Sequence, residues 1–562
     1  MADRKEVAMC GIWACIGPCR KEQALNSTGA LVPRGPEGTR VVTVCDGKAT
    51  LGFTRLAING LTDAGMQPCS DMAGDYWICN GEIYNWRDLA ERHALHCEEA
   101  ASDCQILGQL WAACGRDPAI FFRSLDGVFA IVLVDTGRGE VLVGRDPYGV
   151  RPLFMGHDAV SGAVVFASEM KALGDCLDGV RAFPPGCWAR FPLGGAAVKP
   201  VPYHVVPWLK NPCYEDVEAA AAALRTSLRA AVKKRLMTER PCAALLSGGV
   251  DSSLICALVQ AELKAAGKPA LKTFSIGFEG STDLAYARKV AEHIGSDHTE
   301  IVSTPDEFFA AIPEVVRTIE SYDITSVRAS VGNWMVCREI AKRTDCKVVF
   351  NGDGSDEVFG SYLYFFRAPS DEEFEAESER LLEDIHMYDV LRSDRSISSH
   401  GLEARTPFLD KQFVAVAKSI PTRFRRPRKP ARAMERSAGE VDDGLVEKWI
   451  LRHAFAAEDL LPAEVLWRQK EAFSDGVSGS AKAWYEEIKE RVGGTAASSY
   501  THLPPPTAEA RYYRDLFEEI YGPQRARVLK YFWMPKWSGE TADPSARTLA
   551  LYSTGKGESS SG

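Results

Sequence analysis

Three short stretches of the chain carry residue types that could do chemistry. In LLSGGVDSS, Leu245 to Ser253, an apolar run meets Ser-Gly-Gly and a helix is expected to begin at Asp251-Ser252-Ser253. Two glycines let the backbone approach an anion, and a helix start offers free N–H groups and a positive dipole end. The lysine of a Walker A loop is missing, so this is not a loop that cradles a transferable γ-phosphate. Further on, VVFNGDGSDE presents Asp353, Asp356 and Glu357 on a glycine-punctuated loop. Three acids after a buried strand are expected to be functional rather than a solvated turn. The third stretch is MCGIW, from Met9. A cysteine thiolate is a nucleophile when a neighbour takes its proton, although most cysteines are simply buried apolar residues.

The elements that must position these residues divide the chain in two. Up to about residue 205, DYWICNGEIYN, GVFAIVLVDT, EVLVGRDPYG and AVVFASE read as strands between turn signals, and helical patterns are scarce. Proline and polar residues interrupt at Tyr203 to Asp216, and a long helix is expected in VEAAAAALRTSLRAAVKKRLM. Beyond it apolar strands alternate with helices, the pattern of a parallel sheet covered on both faces. A chain of 562 residues is long for one core, so two domains are expected. The boundaries are an extension at 1–9, domains at 10–205 and 216–545, and a disordered tail at 553–562.

Composition narrows the partners. A net charge of -10 argues against nucleic-acid binding, and no apolar run is long enough to span a bilayer. Sixteen cysteines scattered through a long chain, with no signal peptide, suggest reduced thiols in the cytosol. Cys10, Cys15 and Cys19 cluster without a second pair at zinc-finger spacing. A basic run from Arg423, RFRRPRKPARAMERS, reads as a solvated surface loop.

Ser-Gly-Gly-x-Asp-Ser resembles the pyrophosphate loop of ATP pyrophosphatase enzymes. Together with MCGIW and NGEIYN, and with KKRLMTERP, YDITSVRASVG, HGLEARTPFLD, KEAFSDGV, YFWMPKW and DPSARTL, it resembles the glutamine-hydrolysing asparagine synthetase family from Met9 to about Leu551. The resemblance implies an N-terminal Ntn-hydrolase domain, a four-layer αββα sandwich acting as a class II glutaminase. It implies a C-terminal α/β domain of the ATP pyrophosphatase type with a parallel sheet. The implied reaction converts ATP, aspartate and glutamine to AMP, pyrophosphate, asparagine and glutamate, through β-aspartyl-AMP. Ammonia would pass between the sites by an internal channel. Mg²⁺ is the implied cofactor, ATP a co-substrate, and a homodimer a family expectation.

Residue by residue, the resemblance makes Cys10 the nucleophile, with its own α-amino nitrogen as base. Asn80 and Gly81 would form the oxyanion hole. Arg55 would grip the glutamine α-carboxylate and Asp103 its ammonium, with Leu56, Ala57, Ile58, Asn59 and Glu82 lining the pocket. Ser247, Gly248, Gly249, Ser252 and Ser253 would hold pyrophosphate, and Leu245, Ile276, Asn351 and Gly352 the adenosine. Asp251 and Asp356 would hold Mg²⁺, and Lys470 would neutralise pyrophosphate. Thr325, Ser326, Arg328 and Asp389 would shape the pocket of the intermediate, with Arg405 a further candidate.

Four departures stand out. The family loop usually reads Ser-Gly-Glu-Gly-Ser-Asp-Glu, whereas NGDGSDE puts Asp353 where a longer glutamate would handle the proton of the attacking ammonia. HRGPD appears as PRGPE and RLAIVD as RLAING, both at the rim of the glutamine pocket. An insertion at about 427–443 is expected to be a surface loop. Two rival readings are an ammonia-using ligase with a silent glutaminase and a degenerate binding protein. If Cys10 supplies its own base, residues 1–9 must be absent from the active enzyme, and initiation at Met9 with removal of that methionine is the expected route.

Overall fold

Period-two patterning explains the N-terminal half. In β1 (Gly11–Ile16) residues Ile12, Ala14 and Ile16 face one core while Trp13 and Cys15 face another. The same split recurs in β6 (Gly127–Asp135), where Ala130, Val132 and Val134 join the first core and Phe129, Ile131 and Leu133 join a third. Alternate side chains of a strand point to opposite faces, so two such sheets stack and each still needs cover outside. The computed structural model describes residues 10–97, 102–174, 177–195, 198–205, 213–429, 445–471, 476–478, 482–494, 500–539 and 541–545. The expected extension at 1–9 and tail at 553–562 lie outside the described residues, as does most of the expected insertion at 427–443.

One antiparallel sheet contains β1, β2 (Thr39–Val44), β3 (Ala49–Thr54), β8 (Phe154–His157), β9 (Val164–Ala167) and β10 (Asp178–Ala182), in the order β10-β8-β9-β1-β3-β2. The other contains β4 (Cys69–Ser70), β5 (Tyr76–Ile83), β6, β7 (Glu140–Arg145), β11 (Cys187–Pro192) and β12 (Val201–Pro202), in the order β12-β11-β7-β6-β5-β4. Helix Lys21–Gly29 covers the first sheet, and helices Leu107–Ala113 and Pro118–Ser124 cover the second. This is the αββα sandwich.

The second half is built on a five-stranded, wholly parallel sheet. Its strands are β13 (Cys242–Leu245), β14 (Lys272–Phe278), β15 (Asp297–Ser303), β16 (Val348–Phe350) and β17 (Glu403–Arg405). Their order is β15-β14-β13-β16-β17, so the winding reverses between β13 and β16. A crevice opens outside the carboxyl ends at such a switch point, and ligands of open α/β sheets bind there. The expected long helix forms over Val217–Lys234 and buries Ala220, Leu224, Leu228 and Val232 at helical spacing.

One expectation is corrected here. The basic run from Arg423 is not simply solvated, because Phe424 and Arg425 are buried and Arg425 pairs with Glu375. A short helical turn at Thr422–Arg425 rolls that guanidinium inward, and a buried charge must be paired. Among the described residues no helix is long and apolar enough to cross a membrane.

Candidate functional site

Cys10 immediately precedes β1, and its Sγ lies 3.3 Å from both the amide nitrogen and the carbonyl oxygen of Leu56. Burial pushes the thiol up to about 12, with Glu403 and Glu82 adding to the effect, so the resting sulfur is protonated. Arg34 Nε donates to the Cys10 carbonyl at 3.1 Å and fixes its peptide plane. Asn80 and Gly81 lie on β5. Asn80 Nδ2 donates to Ser168 Oγ at 3.3 Å, while its Oδ1 is buried without a hydrogen-bond partner.

The walls of this pocket come from loops that both domains clamp. Asp103 accepts from Ile83 N at 2.6 Å, and burial raises its carboxyl to about 6. Glu82 accepts from Asn59 Nδ2 at 2.6 Å and faces Arg405 Nη2 at 3.3 Å. Arg55 donates to Gly60 O, tying the loop that carries Leu56 to Asn59. Two of the sequence departures gain a physical account. Glu37 of PRGPE reaches Ala57 N at 2.7 Å and Arg240 Nη2 at 3.1 Å. Asn59 of RLAING is the partner of Glu82.

The second site is a cavity of about 210 Å³ at the switch point. Its floor is the Ser-Gly-Gly turn. Ser247 Oγ and Ser252 Oγ lie 2.9 Å apart, and Ser252 Oγ accepts from Ser247 N at 3.1 Å. Gly248 has φ +74, and a Cβ there would meet Tyr286 Cβ at 2.5 Å, so only glycine closes the turn. Gly352 packs so tightly on the start of helix Val250–Ala265 that a Cβ would lie 2.7 Å from Ser252 N. The two loops therefore touch backbone to backbone, and the helix points its free N–H groups into the cavity.

Charge in the cavity is ordered by two lysines. Lys448 Nζ bridges Asp251 and Asp356, at 2.7 Å from Asp356 Oδ1, and Lys470 Nζ lies 2.6 Å from Asp356 Oδ2. Against the burial that opposes ionisation, Lys448 and Lys470 hold the Asp356 carboxyl well below its usual range. Opposite them, Arg392 binds Asp389 at 2.7 Å and reaches Asp353 at 3.4 Å. Burial still raises the Asp353 carboxyl. Tyr362 OH lies 2.6 Å from Glu357 and 3.1 Å from Asp389. Burial, with Asp389 and Asp356 close by, raises Glu357 well above its usual value.

Leu245, Ser247, Gly249, Asp251, Ser252, Ile276, Thr325, Asn351, Gly352, Asp353, Asp356, Asp389 and Lys470 all line this cavity. Gly248 and Ser253 support it from behind, Ser253 being fully buried. Ser326 and Arg328 do not line it. Both sit on helix Ile324–Arg343, whose cavity face is Thr325, Ala329, Asn333 and Val336 at helical spacing. Ser326 instead binds Asp323, and Arg328 is buried between Glu509 and Asp543. Lys448, Arg392, Tyr362 and Trp533 line the cavity without having been singled out. Only Trp533 had a signal, inside YFWMPKW.

The donor set suits Mg²⁺ held jointly with phosphates. Among the described residues no group of three or more acids, histidines or cysteines could hold a metal. Two carboxylates do converge, and Asp251 Oδ1 is buried without a hydrogen-bond partner. Mg²⁺ takes one or two carboxylates and completes its shell with substrate phosphates and water.

An Ntn-type sandwich with a cysteine at the mouth of its first strand, docked on a doubly wound domain with an anion loop at the switch point, defines a glutamine amidotransferase fused to a nucleotide-binding synthetase-type domain. Comparison with known proteins agrees. Residues 9–200 match the family described as glutamine amidotransferase domain, and residues 223–376 and 367–540 match asparagine synthase. The chain is 39% identical to the asparagine synthetase [glutamine-hydrolyzing] of Gallus gallus and 40% identical to those of Rattus norvegicus and Homo sapiens. Each alignment covers 97% of this chain and 99% of the relative. The chain belongs to the glutamine-hydrolysing asparagine synthetase family.

The Lys448 bridge makes a measurable prediction. Lys448→Met should lower unfolding stability by about 3 kcal/mol, because a buried pair loses one partner. Added Mg²⁺ should recover more stability in the variant than in the parent protein, read as the shift in urea midpoint. Equal shifts in the two would show that Lys448 does not share the cation's place.

Proposed function

We propose that this chain makes asparagine from aspartate, with ATP as the activating co-substrate and glutamine as the nitrogen source. The observation that carries the reading is the presence, in one chain, of a pocket holding Cys10, Asn80 and Gly81 and a Ser247–Asp251 cavity, linked by the buried Arg405, which meets Glu82 of the first and whose carbonyl accepts from Asn351 N of the second. In the first pocket Arg55 and Asp103 orient glutamine by its charged end, and Cys10 Sγ attacks the side-chain amide. The Cys10 α-amino group, free once residues 1–9 are gone, takes the thiol proton and passes it to the leaving ammonia. The Asn80 side-chain amide and the Gly81 N–H stabilise the oxyanion, and water then frees glutamate.

In the second cavity the adenosine of ATP lies over Leu245, Ile276, Asn351 and Gly352, with its phosphates on the serines of the loop. Asp251 and Asp356 would hold Mg²⁺, which supplies charge neutralisation to the leaving pyrophosphate. Lys470 adds a compact positive charge on the same side. The aspartate β-carboxylate attacks the α-phosphorus, and ammonia from the first pocket displaces AMP from the β-aspartyl-AMP formed. Asp353, its carboxyl raised by burial and tethered by Arg392, would as the carboxylate take the proton of the incoming ammonia. Its side chain is one methylene shorter than the family's glutamate, a difference in reach that a shift in the loop must offset.

Two measurements test this. Cys10→Ala should abolish glutamine-dependent synthesis while ammonium-dependent synthesis and aspartate-dependent exchange of pyrophosphate into ATP persist. Absence of that exchange in the parent protein would leave only a binding role. The Asp103 carboxyl, raised by burial to about 6, loses its charge as pH falls through that value. The KM for glutamine should therefore rise several-fold between about pH 7 and pH 5.5, with a smaller change in kcat. A flat KM over that window would remove Asp103 from glutamine binding.

A further inference from the structure

The helix Asp389–Ser398 lies between the two sites and is buried along most of its length. At about 100° per residue, Asp389, Arg392 and Ser393 fall on one side of it and Asp394, Arg395 and Ser398 on the other. The first side belongs to the nucleotide cavity. Asp389 and Arg392 line it, Arg392 holds Asp353, and Ser393 Oγ accepts from Asn351 Nδ2 at 2.6 Å. The second side belongs to the glutaminase domain. Asp394 receives Arg34 at 2.8 Å and Arg151 at 3.7 Å, Ser398 Oγ accepts from Arg34 Nη1 at 2.9 Å, and Arg395 meets Glu169 at 3.2 Å. Arg34 in turn donates from Nε to the carbonyl of Cys10.

Two links thus separate Asp394 from the nucleophile, and one rigid helix separates Cys10 from Asp353. We propose that this helix couples the two reaction centres, and that Asp394 is a positioning residue for Cys10, acting through Arg34. The inference rests on the reaction proposed above. Arg34 Nε fixes the Cys10 peptide, and so the direction in which Sγ leaves it. Asp394 and Ser398, with Glu169, hold Arg34 by its terminal nitrogens while its Nε reaches the Cys10 carbonyl. A ligand carboxylate or phosphate in the nucleotide cavity that competes with Asp389 or Asp353 for Arg392 pulls on the same helix. Rigid elements with two packings carry such coupling, and small shifts of a nucleophile are expensive.

The test compares Asp394→Asn and Ser398→Ala with the parent full-length enzyme. Asp394→Asn should lower glutaminase kcat by about tenfold with KM for glutamine changed by less than about threefold. Ammonium-dependent synthesis in the same preparation should stay within about twofold, which also certifies that the variant is folded. Ser398→Ala, a smaller change, should lower glutaminase kcat by about threefold and decides the matter if the first variant does not fold. Alkylation of Cys10 by iodoacetamide supplies an independent readout. In the parent its rate should change by about threefold or more on adding ATP, Mg²⁺ and aspartate, and in Asp394→Asn it should not respond. Parallel loss of both activities, loss of neither, or a parent alkylation rate indifferent to the ligands would overturn the coupling. A parent with no glutaminase activity would instead reject the proposed function, and the alkylation arm would still read the coupling.

Discussion

Arg34, Arg151, Glu82 and Glu169 of the sandwich domain are all buried, and each finds an opposite charge on the other domain. Arg34 meets Asp394, Arg151 meets Glu403, Glu82 meets Arg405, and Glu169 meets Arg395. A charge taken out of water is tolerated only when paired, and removing one partner of a buried pair costs roughly 3–5 kcal/mol. The two domains are therefore not independent bodies joined by a linker. Separating them would strand charges on both sides. The proposed transfer of ammonia between the two sites would gain from such rigid docking, because it would hold their separation fixed.

The same electrostatic bookkeeping shapes the nucleotide cavity. Lys448 lies between two acids proposed to hold a cation, and Asp251 keeps one buried oxygen without a hydrogen bond. Across the cavity a single Tyr362 hydroxyl lies within bonding distance of Glu357 and Asp389. One hydroxyl has one proton to donate, so it cannot donate to both acids at once, and burial with Asp389 and Asp356 close by raises the Glu357 carboxyl. The resting site thus holds a lysine between the two acids where the proposed reaction would bring a metal.

Much of this was legible in the sequence where chemistry is local. The Ser-Gly-Gly-x-Asp-Ser turn and the acid loop are each contiguous, follow strands, and land on adjacent strand ends as the switch-point rule requires. Strands β5, β6 and β7 were legible as apolar runs between turn signals, and the sandwich only through the family resemblance. Residues that act through tertiary contact were not. Lys448 reaches Asp251 across 197 positions, and nothing around EKWILR marks it as a cavity residue. Arg328 was misplaced because three neighbours in a motif need not share a helix face, and the face here belongs to Thr325 and Ala329. Arg425 shows the same weakness in charge runs, since composition cannot say which of several arginines turns inward.

The central claim is that nitrogen passes from glutamine to aspartate inside one docked pair of sites. It is tested most directly by supplying glutamine labelled with ¹⁵N in its side-chain amide together with an excess of unlabelled ammonium, and measuring ¹⁵N in the asparagine formed. The account predicts that the label is largely retained, because ammonia released at Cys10 does not mix with solvent. Dilution of the label to the level of the bulk ammonium would contradict it.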